Sequence, residues 1–222
     1  VGDYYSQKLA AEKLEACYAI APPRIRQYLR AEIDYVSSLV HPGASVLELG
    51  CGYGRVLTSL SLPEIELWGI DTSLASLRLA ANRLGSGVRL AVMDASRLSF
   101  RSDVFDLVIC VQNGISAFHV DQRRLLEESL RVVRPRGIAL FSTYSDKIWP
   151  ERLHWFELQA QAGLIGQIDY ARTGDGCIVC RDGFTASTVP VARFRGLAEG
   201  LPAEISFEEV DQSSLVLLAR RL

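Results

Sequence analysis

No apolar run in this 222-residue chain reaches the roughly 18 to 20 residues that a membrane-spanning helix needs. Val1-Gly2-Asp3-Tyr4-Tyr5 lacks the apolar stretch of a secretory signal, so the expectation is a cytoplasmic protein with no membrane partner. Cysteine is sparse and scattered: five residues, Cys17, Cys51, Cys110, Cys177 and Cys180, form no disulfide framework and read as reduced thiols. Surplus positive charge is also missing. With 24 Lys and Arg against 26 Asp and Glu, a net charge of −2 and a pI near 6.0, the chain has no footprint for non-specific nucleic-acid binding. Arg123, Arg124, Arg131, Arg134 and Arg136 concentrate basic charge locally, and a solvated helix face accounts for them. There is no internal repeat or low-complexity tract. What remains, 49% apolar and 23% charged residues, suits one globular domain with a full-sized core.

Residues 6–40 have helical character in two pieces, broken at Ala21-Pro22-Pro23, where consecutive prolines remove backbone donors. After His41-Pro42-Gly43 the pattern changes. Strand candidates at 45–49, 66–70, 88–92, 104–110 and 137–143 alternate with helix candidates at 53–60, 73–84 and 121–133, the last two capped by Ser73 and Asp121. Such alternation predicts a parallel sheet covered by helices on both faces, with ligands bound where the loops after the strands converge. Beyond Tyr144 the order changes to a helix over 147–162, a β-like stretch over 167–188, a short helix over 191–199 and a hairpin of 204–210 with 213–219 across Asp211-Gln212. Gly174-Asp175-Gly176 marks a turn in the β-like stretch, pairing 168–172 with 177–181 or the latter with 184–188. The predicted organisation is a single domain over 1–222: a helical cap (1–40), a nucleotide-binding core (41–145), a substrate-side helix and insertion (146–203) and a C-terminal hairpin (204–222).

The most informative stretch is Val46-Leu47-Glu48-Leu49-Gly50-Cys51-Gly52-Tyr53-Gly54-Arg55, an apolar strand joined to a helix through three closely spaced glycines. These remove Cβ atoms where the backbone turns sharply towards a ligand, and the helix behind offers unpaired N–H groups. A dinucleotide fingerprint has G-x-G-x-x-G, but here Arg55 stands where the third glycine belongs. Glu48, two residues before the first glycine, would repel a pyrophosphate and suits a ligand with a cationic end. Asp71 closes the second strand, where a carboxylate accepts hydrogen bonds from ribose hydroxyls, with Thr72 and Ser73 following it. Asp94 and Ala95 close the third, in position to border an adenine amine.

These residues resemble the class I S-adenosylmethionine-dependent methyltransferases. The resemblance rests on Glu48 to Gly54, on Gly69-Ile70-Asp71, on Met93-Asp94-Ala95, on Phe105-Asp106-Leu107-Val108-Ile109-Cys110, and on residues 126–133 leading into Arg134-Pro135-Arg136-Gly137-Ile138-Ala139-Leu140. It covers residues 40–145 and the final hairpin. It implies a seven-stranded, mostly parallel Rossmann-like α/β sheet whose last strand is antiparallel, with S-adenosylmethionine as cofactor and S-adenosylhomocysteine as product. By position, Gly50, Cys51, Gly52, Tyr53, Gly54 and Arg55 would surround the methionine part and sugar, Asp71 would hold the ribose, and Asp94 with Ala95 would border adenine. Val111, Gln112 and Asn113 would line the reacting centre.

Methyl transfer from a sulfonium is an in-line displacement that needs positioning more than acid–base help. His119, five residues past Gly114, is the candidate base, against the plainer reading of a surface histidine. His154 and Trp155 sit among Trp149, Leu153, Phe156 and Leu158, a pattern of core packing that also approaches the acceptor side. Tyr4, Tyr5 and Tyr18 read either as a lid over the cofactor or as a loose terminus with one packed tyrosine. The C-x-x-C of Cys177 and Cys180 lacks a second ligand pair, and strand geometry would point the two thiols apart, so no metal is expected. Neither Asn-Pro-Pro-Tyr nor Asp-Pro-Pro-Tyr follows the fourth strand, which turns the expectation from base or amide nitrogens towards a small-molecule acceptor. The alternatives are a non-catalytic module that binds S-adenosylmethionine, a protein or RNA acceptor, and aminopropyl transfer. Oligomeric state is not legible.

Overall fold

The computed structural model describes residues 4, 8–60 and 64–222. The double proline divides the N-terminal helices as the sequence predicts: α1 runs Glu12–Ala19 and α2 runs Pro23–Leu39, with Pro23 at the first helical position, where a missing N–H costs nothing. Then come β1 (Ser45–Leu49), α3 (Arg55–Ser59), β2 (Glu66–Asp71), α4 (Leu74–Leu84), β3 (Val88–Val92), β4 (Phe105–Cys110), α5 (Gly114–Ala117), α6 (Gln122–Val132) and β5 (Val133–Tyr144). The chain continues through α7 (Trp149–Gln161), β6 (Cys177–Val179), β7 (Thr185–Ser187), α8 (Val191–Ala198), β8 (Ala203–Val210) and β9 (Ser214–Arg221).

Seven strands form one sheet in the order β3-β2-β1-β4-β5-β9-β8. Six run parallel, and β9 runs against both its neighbours. β1 is central and buried throughout, and its pleat divides the core: Leu47 and Leu49 enter one apolar cluster, Val46 the cluster on the opposite face. Strand order reverses between β1 and β4, so the loops after these strands open a crevice at the carboxyl edge. Ser73 and Asp121 cap α4 and α6 by accepting from the backbone N–H three residues on. Asp211 and Gln212 both take positive φ, 55° and 52°, at the centre of a turn closed by the Ser213 N–H donating to the Val210 carbonyl, in a three-residue loop that pairs Val210 with Ser214.

Most element ends shift from expectation by one or two residues, and three departures have a physical reason. α3 starts at Arg55, not 53, because Tyr53 and Gly54 are spent on the turn. β5 starts at Val133, four residues before Gly137, and absorbs the expected glycine turn as a bulge: Phe105 pairs Val133 but Leu107 pairs Ile138, and Arg136 takes φ 68°. In the β-like stretch, 177–179 pairs with 185–187, while the alternative pairing survives as a single bridge between Ile168 and Cys180. The arginines of α6 fasten the fold: Arg123 donates to the carbonyls of Leu197 and Glu199, and Arg131 to those of Leu98 and Phe100. No helix among the described residues is long and apolar enough to cross a membrane.

Candidate active site

A cavity of about 320 Å³ opens at the carboxyl edge, lined by the loops after β1, β2, β3 and β4 together with α1, α7 and the β6–β7 hairpin. Gly50, Gly52 and Gly54 take φ of 69°, 53° and 84° in the first of these loops. Space as well as conformation excludes a side chain there, since a Cβ at Gly54 would lie 2.7 Å from Leu84 and one at Gly50 2.4 Å from the Phe118 ring. Asp71 ties this loop to the next: its Oδ2 accepts from the Gly52 N–H at 2.9 Å and its Oδ1 from the Ser73 N–H at 2.7 Å. The carboxylate is thereby fixed at the cavity wall. Asp94 stands exposed at the rim, its Oδ1 accepting from the Ser96 N–H and hydroxyl, beside exposed Thr72 and buried Ala95.

Three buried polar atoms on cavity-lining residues have no hydrogen-bond partner among the described residues: Glu48 Oε2, an Arg55 guanidinium nitrogen and Gln112 Nε2. Burial pushes the Glu48 carboxyl up to about 8 against the opposing pull of Arg55. One unpaired acceptor close to two unpaired donors is a costly arrangement that a zwitterionic ligand would satisfy. The Arg55 guanidinium also lies 4.9 Å from the centre of the Tyr18 ring, so the cation is held in place.

Past β4, Gln112 and Asn113 take φ of 54° and 64°, an uncommon run for two non-glycine residues. The tertiary structure holds it. The Gln112 N–H donates to Glu32 Oε2 (3.1 Å) and Ser142 Oγ (2.9 Å), and the Tyr18 hydroxyl donates to Gln112 Oε1 (2.8 Å). The Asn113 side chain accepts from Thr143 Oγ1 at 2.7 Å and donates to the Ser187 carbonyl at 2.9 Å. Asn113 is thus an anchor between β5 and the hairpin, and it lines the cavity together with Val111 and Gln112. Glu32, buried in α2, also accepts from Ser214 Oγ at 2.6 Å, and burial raises its carboxyl. Sequence reading missed Glu32 because a carboxylate on an amphipathic helix resembles a solvated one; its partners come from strands 80 or more residues away.

The opposite end of the cavity is aromatic. Tyr144, Trp155, Phe156 and Phe184 line it, with Gln159, Cys17 and Ala186. The Trp155 indole donates to the Cys17 carbonyl at 2.9 Å and pins α7 to α1. Behind the wall the fully buried Arg152 donates to the carbonyls of Gly176 (2.9 Å) and Ala186 (2.7 Å), with its guanidinium 4.3 Å from the Tyr144 ring centre. The approach of this helix to the acceptor side agrees with its sequence pattern, whereas the buried Arg152 and its carbonyl partners were not visible there.

His119 is exposed at φ 52° and outside the lining, while its neighbours Phe118 and Val120 face inward, which corrects its candidacy as a base. His154 is likewise exposed, 3.6 Å from Glu157. Tyr4 is neither loose nor in the cavity: its ring packs edge-on to Phe184 at 5.1 Å and its hydroxyl donates to Asp182. Tyr5 lies outside the described residues, and of Tyr4 and Tyr18 it is Tyr18 that lines the cavity. Cys17 lines the cavity with its thiol pushed up to about 12 by burial, apart from Cys177 and Cys180 in the hairpin region, which are not among the lining residues. Among the described residues, no three His, Cys, Asp or Glu side chains gather to hold a metal.

Residues 46–137 match the family model of a methyltransferase domain. The 2-methyl-6-phytyl-1,4-hydroquinone methyltransferase of Synechocystis sp. is 29% identical over 137 residues, 57% of this chain and 42% of that protein. The probable tRNA methyltransferase 9B of Mus musculus is 32% identical over 117 residues, 52% of this chain and 23% of that protein. The chain thus spans less than half the length of these curated relatives. A crystal structure of an S-adenosylmethionine-dependent methyltransferase from Methanosarcina mazei superposes with a TM-score of 0.63 over 85% of this chain and 97% of that one, at 20% identity, and shows the shared fold.

Proposed function

We propose that the chain, whose residues 46–137 match the family model of a methyltransferase domain, transfers a methyl group from S-adenosylmethionine to a small-molecule acceptor and releases S-adenosylhomocysteine. The observation that carries this reading is the trio of buried, unpartnered atoms on Glu48, Arg55 and Gln112. An amino acid head group has the charges to match: its ammonium suits Glu48, and its carboxylate suits Arg55 and Gln112. Asp71 suits the ribose hydroxyls, and the rim formed by Asp94 and Ala95 suits adenine. Gly50, Cys51, Gly52, Tyr53, Thr72, Ser73, Val111 and Asn113 border the remainder, with Gly54 completing the turn outside the lining.

When bound, S-adenosylmethionine supplies a methyl group already made electrophilic by the sulfonium charge. The chain's residues have then to align the acceptor behind that methyl and keep water away. The aromatic wall serves both ends. Burial pushes the Tyr144 hydroxyl and the Cys17 thiol each up to about 12, so both remain protonated at neutral pH and neither takes a proton from the acceptor. With these two groups protonated, the reading asks the acceptor to bring its own nucleophilic strength.

A small molecule is favoured over RNA for two reasons. The arginines of α6 are engaged within the fold. The acceptor end is also braced from the N-terminal side, where Tyr4 packs on Phe184 and both Tyr4 and Lys8 donate to Asp182 in the turn between β6 and β7. Calorimetry with S-adenosylmethionine, S-adenosylhomocysteine and NAD, followed by a methyl-transfer screen over small acceptors, tests the proposal. Binding of the sulfonium and its product, with turnover of a small acceptor, is expected. Tight NAD binding without either would overturn the assignment, and cofactor binding with no turnover across a broad screen would turn it towards a non-catalytic module.

A further inference from the structure

We propose that the acceptor end takes a planar, uncharged ring compound bearing a hydroxyl or carbonyl on its edge, and that Gln159 reads that group. This rests on the methyl-transfer reading of the same cavity and goes beyond it to the class of acceptor.

Gln159 is 3% exposed and lines the cavity, and its side-chain amide forms no hydrogen bond with any described residue. It stands three residues after Phe156 and four after Trp155 on α7, so all three share one helix face. An amide that pairs with no described residue and lines the cavity among aromatic side chains keeps both its donor and its acceptor for whatever fills that cavity. Since an amide gives and accepts, its natural partner is a hydroxyl or carbonyl.

The walls decide the rest of the molecule. Trp155 lies edge-on to Phe156 at 5.7 Å and 67°, and Phe156 lies 5.7 Å from the fully buried Phe184 at 35°, so the wall that a ring in the cavity would meet is aromatic and tightly packed. Aromatic surfaces also attract cations, but Arg152 already holds that role behind the wall, 4.3 Å from the Tyr144 ring and 5.7 Å from Phe156, and its charge would repel a second cation. An anion would fare no better. The Arg152 Nη atoms are committed to the Gly176 and Ala186 carbonyls, and the lining cation, Arg55, belongs to the methionine end. An uncharged acceptor remains.

The test is equilibrium dialysis of the full chain, saturated with S-adenosylhomocysteine, against 2-naphthol, naphthalene and 1-decanol. The wild type is expected to hold 2-naphthol about 10-fold more tightly than either of the others, as one added hydrogen bond in a buried site allows. Gln159→Met keeps helix propensity and volume. It is expected to bring 2-naphthol to within about twofold of naphthalene, with S-adenosylhomocysteine affinity unchanged. Phe184→Leu supplies an independent arm, weakening both ring compounds while leaving 1-decanol alone. An unchanged 2-naphthol preference in Gln159→Met, or 1-decanol binding as well as 2-naphthol to the wild type, overturns the inference. Failure of the wild type to bind S-adenosylhomocysteine would instead sink the underlying methyl-transfer reading.

Discussion

At the methionine-and-ribose end of the cavity, the facing groups come from strand ends within residues 48–95 plus the loop after β4, and they are polar and held by backbone hydrogen bonds. At the acceptor end they come from α1, the end of β5, α7 and the β6–β7 hairpin, and they are aromatic and held by packing around a buried cation. The first end is a property of loops that the parallel sheet must make, so it needs little beyond the sheet itself. The second exists only where four separate segments meet. Damage to one end should therefore leave the other largely intact.

Arg152→Leu strikes the acceptor end hardest. It leaves the Gly176 and Ala186 carbonyls buried without their donor and should cost about 3 kcal/mol of stability in chemical denaturation. S-adenosylhomocysteine affinity measured on the folded variant should shift by no more than about threefold, well below the energy of one buried hydrogen bond. An equal loss at both ends would break the comparison. Asp71→Ala is the converse, removing a carboxylate that both faces the ligand and ties Gly52 to Ser73. Calorimetry should show S-adenosylmethionine bound about 100-fold more weakly, or about 2.7 kcal/mol, with unfolding by denaturant much less affected.

Glu48→Gln should weaken the same ligand about 10-fold and, more tellingly, change its proton balance. The Glu48 carboxyl stands at about 8 in the ligand-free fold, above its ordinary 4.5, so the folded state binds the proton more tightly than the unfolded. That contribution to stability is complete below pH 4.5 and is lost as the pH rises through about 8. A cationic ligand draws the proton off, so binding at pH 7 should release close to one proton and tighten as the pH rises from 6 to 8. Calorimetry in buffers of different ionisation enthalpy reads this directly, and Glu48→Gln should abolish it. The smallest effect belongs to His119→Ala, for which kcat/KM on a true acceptor should stay within about twofold, since the ring is exposed outside the cavity.

Much of the first end was legible in the residues. β1 and β3 fall within the predicted bounds, the caps Ser73 and Asp121 perform as read, and Glu48, Gly50, Gly52, Asp71 and Asp94 line one cavity at the carboxyl edge. His119 misled because nearness in sequence to the fourth strand end does not determine which way a residue in a tight turn faces. Glu32 and Arg152 were invisible for the opposite reason: each looks like an ordinary charge on an amphipathic helix until the carbonyls, hydroxyls or amides that bury it arrive from far along the chain.

By itself the sequence determined the alternation of strands and helices, the glycine turn and the order of acids at successive strand ends, because propensity, capping and turn chemistry act over a few residues and repeat with a fixed period. Only the tertiary structure decided that Arg152 lies behind an aromatic wall, that Gln112 and Asn113 are held at positive φ, and that Gln159 faces a cavity with its amide unpaired. Those facts depend on which surfaces remain when α1, α7 and the hairpin close on the sheet, and burial of that kind has no local signature.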